Sequence, residues 1–259
     1  GQYYHYLARW MHALSRVSRE TGDPAYNTWA IELAKAAHNR FLHTLKDGSR
    51  WMVWKMSIDL SYPQVPSMGQ HDPLDGLITY HQLQATATRL STTGLDLVSE
   101  MADMVTLCKG RSWTTDDPLG IGGLLCDAYK TARLIQESAF SDTALLQDLL
   151  ESSLAGVEAY STGRALKLPA EYRLAFRELG LAIGLHAVEK MERLARESDA
   201  LAESEPLMDA FKRHLHLGES IERFWLDPRN QKVRTWSEHQ DINSVMLATR
   251  LAPDGYLAL

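Results

Sequence analysis

Apolar positions recur at helical spacing along almost the whole chain. Tyr3, Tyr6, Leu7, Trp10, Leu14 and Val17 follow the three-then-four rhythm of one helix face, which is expected to be the buried one. Thr21-Gly22 stops this pattern and Asp23-Pro24 starts the next. Asp can accept a bond from the free amides of a first turn, and Pro fits there because its missing N–H needs no partner. Tyr26, Trp29, Ala30, Leu33, Ala37 and Phe41 continue as a second stripe, so an antiparallel helical hairpin is predicted. Lys46-Asp47-Gly48-Ser49 reads as a turn. Trp51–Leu60 behind it is the one good extended segment, expected as a short β-hairpin or loop.

The helical pattern then resumes. Asp72-Pro73-Leu74 and Asp117-Pro118-Leu119 each open a helix, with both Asp residues expected as caps, and Leu97 to Cys108 forms a stripe between them. Leu145 to Leu154 predicts a sixth helix and Pro169 is expected to begin a seventh. Phe211, Leu215, Ile221 and Phe224 suggest an eighth, and Asp241 is expected to cap a ninth. Odd helices thus start near residues 2, 73, 118, 170 and 241, each followed by a partner. Gly120, Gly122, Gly123, Gly180 and Gly184 fall in the odd set. Each glycine costs about 1 kcal/mol inside a helix, so close helix packing is the expected reason for them. The predicted fold class is all-α, a toroid-like array of about four to five helical hairpins. No Pro/Gly/Ser-rich linker divides residues 1–259, so one domain is expected. The chain opens on Gly1 without an initiator Met, which reads as a mature or truncated product and leaves the compartment open.

Composition narrows the function classes. With 45% hydrophobic and 23% charged residues, the chain is too apolar for disorder. A formal charge of −6 argues against a nucleic-acid partner, and no apolar run reaches the ~18 residues of a membrane span. Cys108 and Cys126 are the only cysteines, too few for a disulfide framework or a cysteine-rich zinc site. Phosphate-loop, dinucleotide, HExxH, GxSxG and EF-hand patterns do not occur, so no cofactor and no metal is expected.

The candidate chemistry is positional. The loops before the odd helices are polar and acidic: Met68 to Asp72, Trp113 to Asp117, Pro169 to Arg173 and Trp236 to Asp241. If these helices run parallel in one ring, the loops share a rim. Asp72, Asp116, Asp117, Glu171, Glu238 and Asp241 are then candidate catalytic carboxylates, because paired carboxylates can divide acid and base duties. His71, Trp113, Tyr172, Arg173, Trp236 and His239 are candidate ligand-binding side chains, with flat aromatic faces suited to a sugar ring. The plainer reading of the Asp-Pro signals is helix capping, and Glu238 with Asp241 also suits a dipole-favoured first turn.

On these features, notably the Tyr3–Phe41 hairpin with its Thr21-Gly22-Asp23-Pro24-Ala25-Tyr26 turn and the extended element after it, the chain resembles the (α/α) toroid superfamily. That superfamily contains the six-hairpin glycosidases and the N-acylglucosamine 2-epimerase-like proteins. The complete toroid implies six hairpins, so a fragment of a longer chain or a curtailed ring is expected. Adjacent acids at the start of an inner helix look like those of endo-mannanase-type members, with Asp116-Asp117 as the match. The resemblance implies a carbohydrate-active enzyme, in the first place a glycoside hydrolase, acting on a small-molecule or oligosaccharide ligand. Two alternatives stay open: a sugar epimerase working through His71 and His239, and a non-catalytic helical binding scaffold.

Overall fold

The computed structural model describes residues 1–92 and 94–258. The protein is all-α: 71% of it is helical, with twelve α-helices and two small two-stranded sheets among the described residues. It divides into two compact units, Gly1–Arg111 and Ser112–Ala258.

In the first unit α1 (Tyr4–Thr21) and α2 (Pro24–Phe41) form the predicted hairpin. Gly22 closes α1 in the left-handed conformation at φ 73°, and Asp23 caps α2 by accepting from Ala25 N at 2.9 Å. The two short sheets then form around the predicted extended segment. Strand β2 (Leu42–Thr44) pairs antiparallel with β3 (Arg50–Met52) across the Asp47-Gly48 turn, and β4 (Lys55–Met56) pairs with β1 (Gln2–Tyr3). Helices α3 (Asp72–Arg89) and α4 (Val98–Cys108) complete the unit.

Helices α1 and α3 lie side by side and parallel, because their contacts climb together: Tyr4 with Tyr80, His12 with Gln82, Ser15 with Thr86. Helix α4 returns antiparallel along α3, with Leu97 bonded to Gln84 and Met104 against Gly76. The face of α1 turned inward differs from the expected one. Tyr4, Ala8, Met11, His12, Ser15 and Ser18 are buried, whereas Tyr6 is 55% and Trp10 64% exposed. The interior accepts the polar face because α3 satisfies it. His12 Nδ1 lies 2.8 Å from Gln82 Oε1, Ser15 Oγ lies 2.9 Å from Thr86 Oγ1, and Arg19 Nε donates to that same hydroxyl. Trp29, expected inside α2, is also exposed.

The second unit repeats the arrangement with more helices. Helix α5 (Pro118–Gln136) is capped by Asp117, which accepts from Leu119 N at 3.3 Å, and α6 (Thr143–Thr162) is capped by Asp142. The element expected to start at Pro169 is instead a short 3₁₀ turn over Ala170–Tyr172, and α7 (Ala175–Ala195) begins after it. The expected eighth helix is broken into α8 (Glu205–Ala210), a 3₁₀ turn and α9 (His216–Leu226). After α10 (Arg234–Ser237) come α11 (Gln240–Leu251) and α12 (Pro253–Leu257). His239 holds the cap position of α11, and Asp241 stands in its first turn.

Helices α5, α7 and α11 run parallel. Gly180 meets Leu119, Gly184 meets Gly122 and Leu125, and toward α11 Phe176 meets Asn243 and Gly180 meets Met246. The predicted glycine packing is real at Gly122 and Gly184. A Cβ on Gly184 would stand 2.7 Å from Gly122 Cα, and one on Gly122 would strike the Gly180 carbonyl. Gly123, by contrast, has open space around it.

Candidate active site

The polar loop before α3 is held by two indoles. Trp51 Nε1 donates to Pro66 O and Trp54 Nε1 to Ser67 Oγ, both at 2.9 Å, which steers the chain toward Gly69 and the head of α3. Asp72 is not the cap expected of it. His71 occupies that position without a side-chain cap bond, and Asp72 is the first residue of the helix. Asp75 stands three residues on, hence on the same face as Asp72. A side chain on Gly69 would collide with Asp72 Oδ2, so the bare backbone there makes room for the carboxyl.

Two basic side chains reach this pair from the parallel helix. Arg9 Nη2 lies 3.2 Å from Asp75 Oδ1, and His5 Nδ1 lies 3.6 Å from Asp75 Oδ2. Burial, reinforced by the negative charge of Asp75, pushes the Asp72 carboxyl up to about 6, with His5 and Arg9 opposing the rise. Asp72 remains partly accessible while Asp75 is buried. Below them Tyr4 is fully buried, its hydroxyl bonded to Tyr80 at 3.0 Å. Burial, then the Tyr80 hydroxyl and more weakly Asp75 and Asp72, raise the Tyr4 hydroxyl well above its usual value, so it stays protonated.

An aromatic group borders the same end of α1. Because β1 pairs with β4, the Trp54 ring sits 5.5 Å from Tyr3, which in turn sits 5.2 Å from Tyr6. Lys55 Nζ lies over the Tyr3 ring at 4.9 Å. Asp75, His5 and Arg9 escaped the sequence reading. Their spacings of three and four residues were visible, but nothing in the sequence announced that residues near 7 and near 75 would meet.

The other sequence candidates, apart from His71 and Asp72, belong to the second unit. Asp117, besides capping α5, pairs with Arg177 at 2.8 Å. Asp116 is exposed beside it. Glu171 and Tyr172 are exposed on the 3₁₀ turn. Trp113 and Trp236 are buried, and Trp236 stacks on Trp225 with centroids 5.8 Å apart. Glu238 pairs with Arg234 one turn back on the surface, and Asp241 is exposed. His239 packs edge-on against Phe176 at 5.3 Å. The heads of α5, α7 and α11 are therefore joined through Asp117, Arg177, Phe176 and His239.

Arg173 is the buried anchor of this unit. Its Nε and Nη2 donate to both oxygens of Glu178 at 2.8 and 2.6 Å, and its Nη1 donates to Leu166 O. Glu178 also accepts from Tyr160 and from Trp225 Nε1. A carboxylate so fully engaged is structural.

Among the described residues no group of three or more His, Cys, Asp and Glu is placed to hold a metal ion, and no helix is long and apolar enough to cross a membrane. Comparison with protein-family models, with curated proteins and with solved structures returns no match for the chain.

Proposed function

We propose that the protein is a carbohydrate-active enzyme of the glycoside hydrolase type, with Asp72 as its proton donor and acceptor. The observation that carries this reading is the partly accessible Asp72 carboxyl held near 6 at the head of α3, beside the Asp75–Arg9 pair. A carboxyl with that proton affinity is populated in both forms near neutral pH, which suits one group that gives a proton and later takes one back. Asp72 protonates the glycosidic oxygen as the bond to the anomeric carbon breaks. Water then adds to that carbon, and the Asp72 carboxylate removes the proton from it. Asp75 is a positioning residue: burial first, and its charge second, keep the proton on Asp72, and Arg9 keeps Asp75 in place. Tyr3, Tyr6 and Trp54 offer ring faces for a sugar next to these acids.

The test is release of reducing ends from a panel of oligosaccharides and aryl glycosides by the wild type and by Asp72→Asn. Cleavage of at least one linkage is expected, with a loss of about 10²-fold or more in the variant. A panel untouched by the wild type, or cleaved equally by the variant, overturns the assignment.

A further inference from the structure

The second unit contains a polar cavity of about 270 Å³ between α9 and the segment preceding α7, lined in part by Arg173, Ser220, Arg223, Phe224, Asp227 and Asn230. That size is just below the range of small-molecule sites and fits a body of roughly monosaccharide dimensions. Its charges resolve residue by residue. Arg173 is neutralised by Glu178 at 2.6 Å. Asp227 is neutralised by Arg229 through contacts of 2.6 and 3.1 Å. Arg223, exposed on α9, has no carboxylate partner among the described residues, so the cavity presents one uncompensated positive charge.

The donors match that charge. A guanidinium has five N–H groups, and Arg173 spends one each on Glu178 Oε1, Glu178 Oε2 and Leu166 O, which leaves two. The Arg173 plane is fixed by stacking 3.7 Å above the Phe224 ring, so these donors are preorganised. Asn230 Nδ2 is held on Phe224 O at 2.8 Å, and Ser220 adds a hydroxyl at the rim. We infer that this cavity is a binding site for a small hydroxylated carboxylate. The acid group lies against Arg223 and the remaining Arg173 donors, and its hydroxyls face Ser220, Asn230 and the acceptor oxygens of Asp227. A carboxylate matches the single charge on offer, whereas a phosphate monoester brings about −1.5 to −2. The site lies apart from Asp72 in sequence and in unit, and it stands or falls independently of the proposed hydrolysis.

The test is isothermal titration of the full chain and of Arg223→Gln with gluconate, glucose and glucose 6-phosphate. Arg223 is exposed, so the variant keeps its fold, which circular dichroism checks. Gluconate is expected to bind the wild type with a millimolar or tighter Kd, and both glucose and the phosphate to bind about tenfold or more weaker. Arg223→Gln is expected to lose about tenfold or more for gluconate alone. Absence of gluconate binding, equal binding of glucose or glucose 6-phosphate, or an unchanged affinity in the variant each overturns the inference.

Discussion

Replacing Asp72 by Asn probes the site through stability before any substrate is known. In the open chain the Asp72 carboxyl titrates near 3.8; in the fold it is held at about 6. Each decade of proton affinity is worth about 1.4 kcal/mol, so the difference amounts to about 3 kcal/mol. The sign follows from proton counting. Between about pH 4 and pH 6 the folded chain keeps a proton that the unfolded chain has released, so stability falls as pH rises through that window. Above it the ionised Asp72, largely desolvated beside Asp75, is a standing penalty; below pH 4 there is none. Asn has the same shape and no charge to desolvate. Asp72→Asn is therefore expected to be more stable than the wild type at pH 8 by about 1–3 kcal/mol, or roughly 2–10 °C in Tm for a chain of this size. The two proteins are expected to converge at pH 4. Urea unfolding at pH 4, 5, 6, 7 and 8, followed by far-UV circular dichroism, measures this directly. A variant less stable than the wild type at pH 8, or an offset that does not change with pH, refutes the argument. Together with lost cleavage, the predicted gain is the exchange of stability for function expected of a working site.

Three other outcomes follow from the packing. Gly122→Ala drives a methyl into the Gly180 carbonyl and is expected to cost about 1–3 kcal/mol, read as a lower urea midpoint. Gly123→Ala, one residue along with open space around it, is expected to be neutral or to stabilise by up to about 1 kcal/mol in the same assay. Glu178→Gln removes the counter-charge of Arg173, whose side chain is only 3% exposed, and is expected to cost about 3–5 kcal/mol, seen by calorimetry as a lower Tm.

Much of the architecture was legible locally. The Asp23-Pro24 and Asp117-Pro118 caps, the Gly22 stop and the Asp47-Gly48 turn are encoded within four residues of where they act, and the structure realises each one. The buried face of α1 was not legible. Tyr6, Trp10 and Val17 are the greasier residues, and only α3, seventy positions away, makes His12 and Ser15 good interior residues by bonding them. Asp72 looked like its Asp-Pro counterpart Asp117. Yet Asp117 caps its helix, and Asp72, shifted inward by one residue, instead meets Asp75. The helix break after Pro169 was missed for the same kind of reason. The Arg173–Glu178 pair organises that stretch, and its partners Tyr160 and Trp225 come from outside it.

Carboxyl-carbon NMR of a ¹³C-aspartate-labelled chain observes the Asp72 proton directly. A titration with a midpoint near 6, absent in Asp72→Asn and moved toward 4 in Asp75→Asn, is the predicted result. A wild-type Asp72 that titrates near 4, or one whose midpoint ignores the loss of the Asp75 charge, contradicts it.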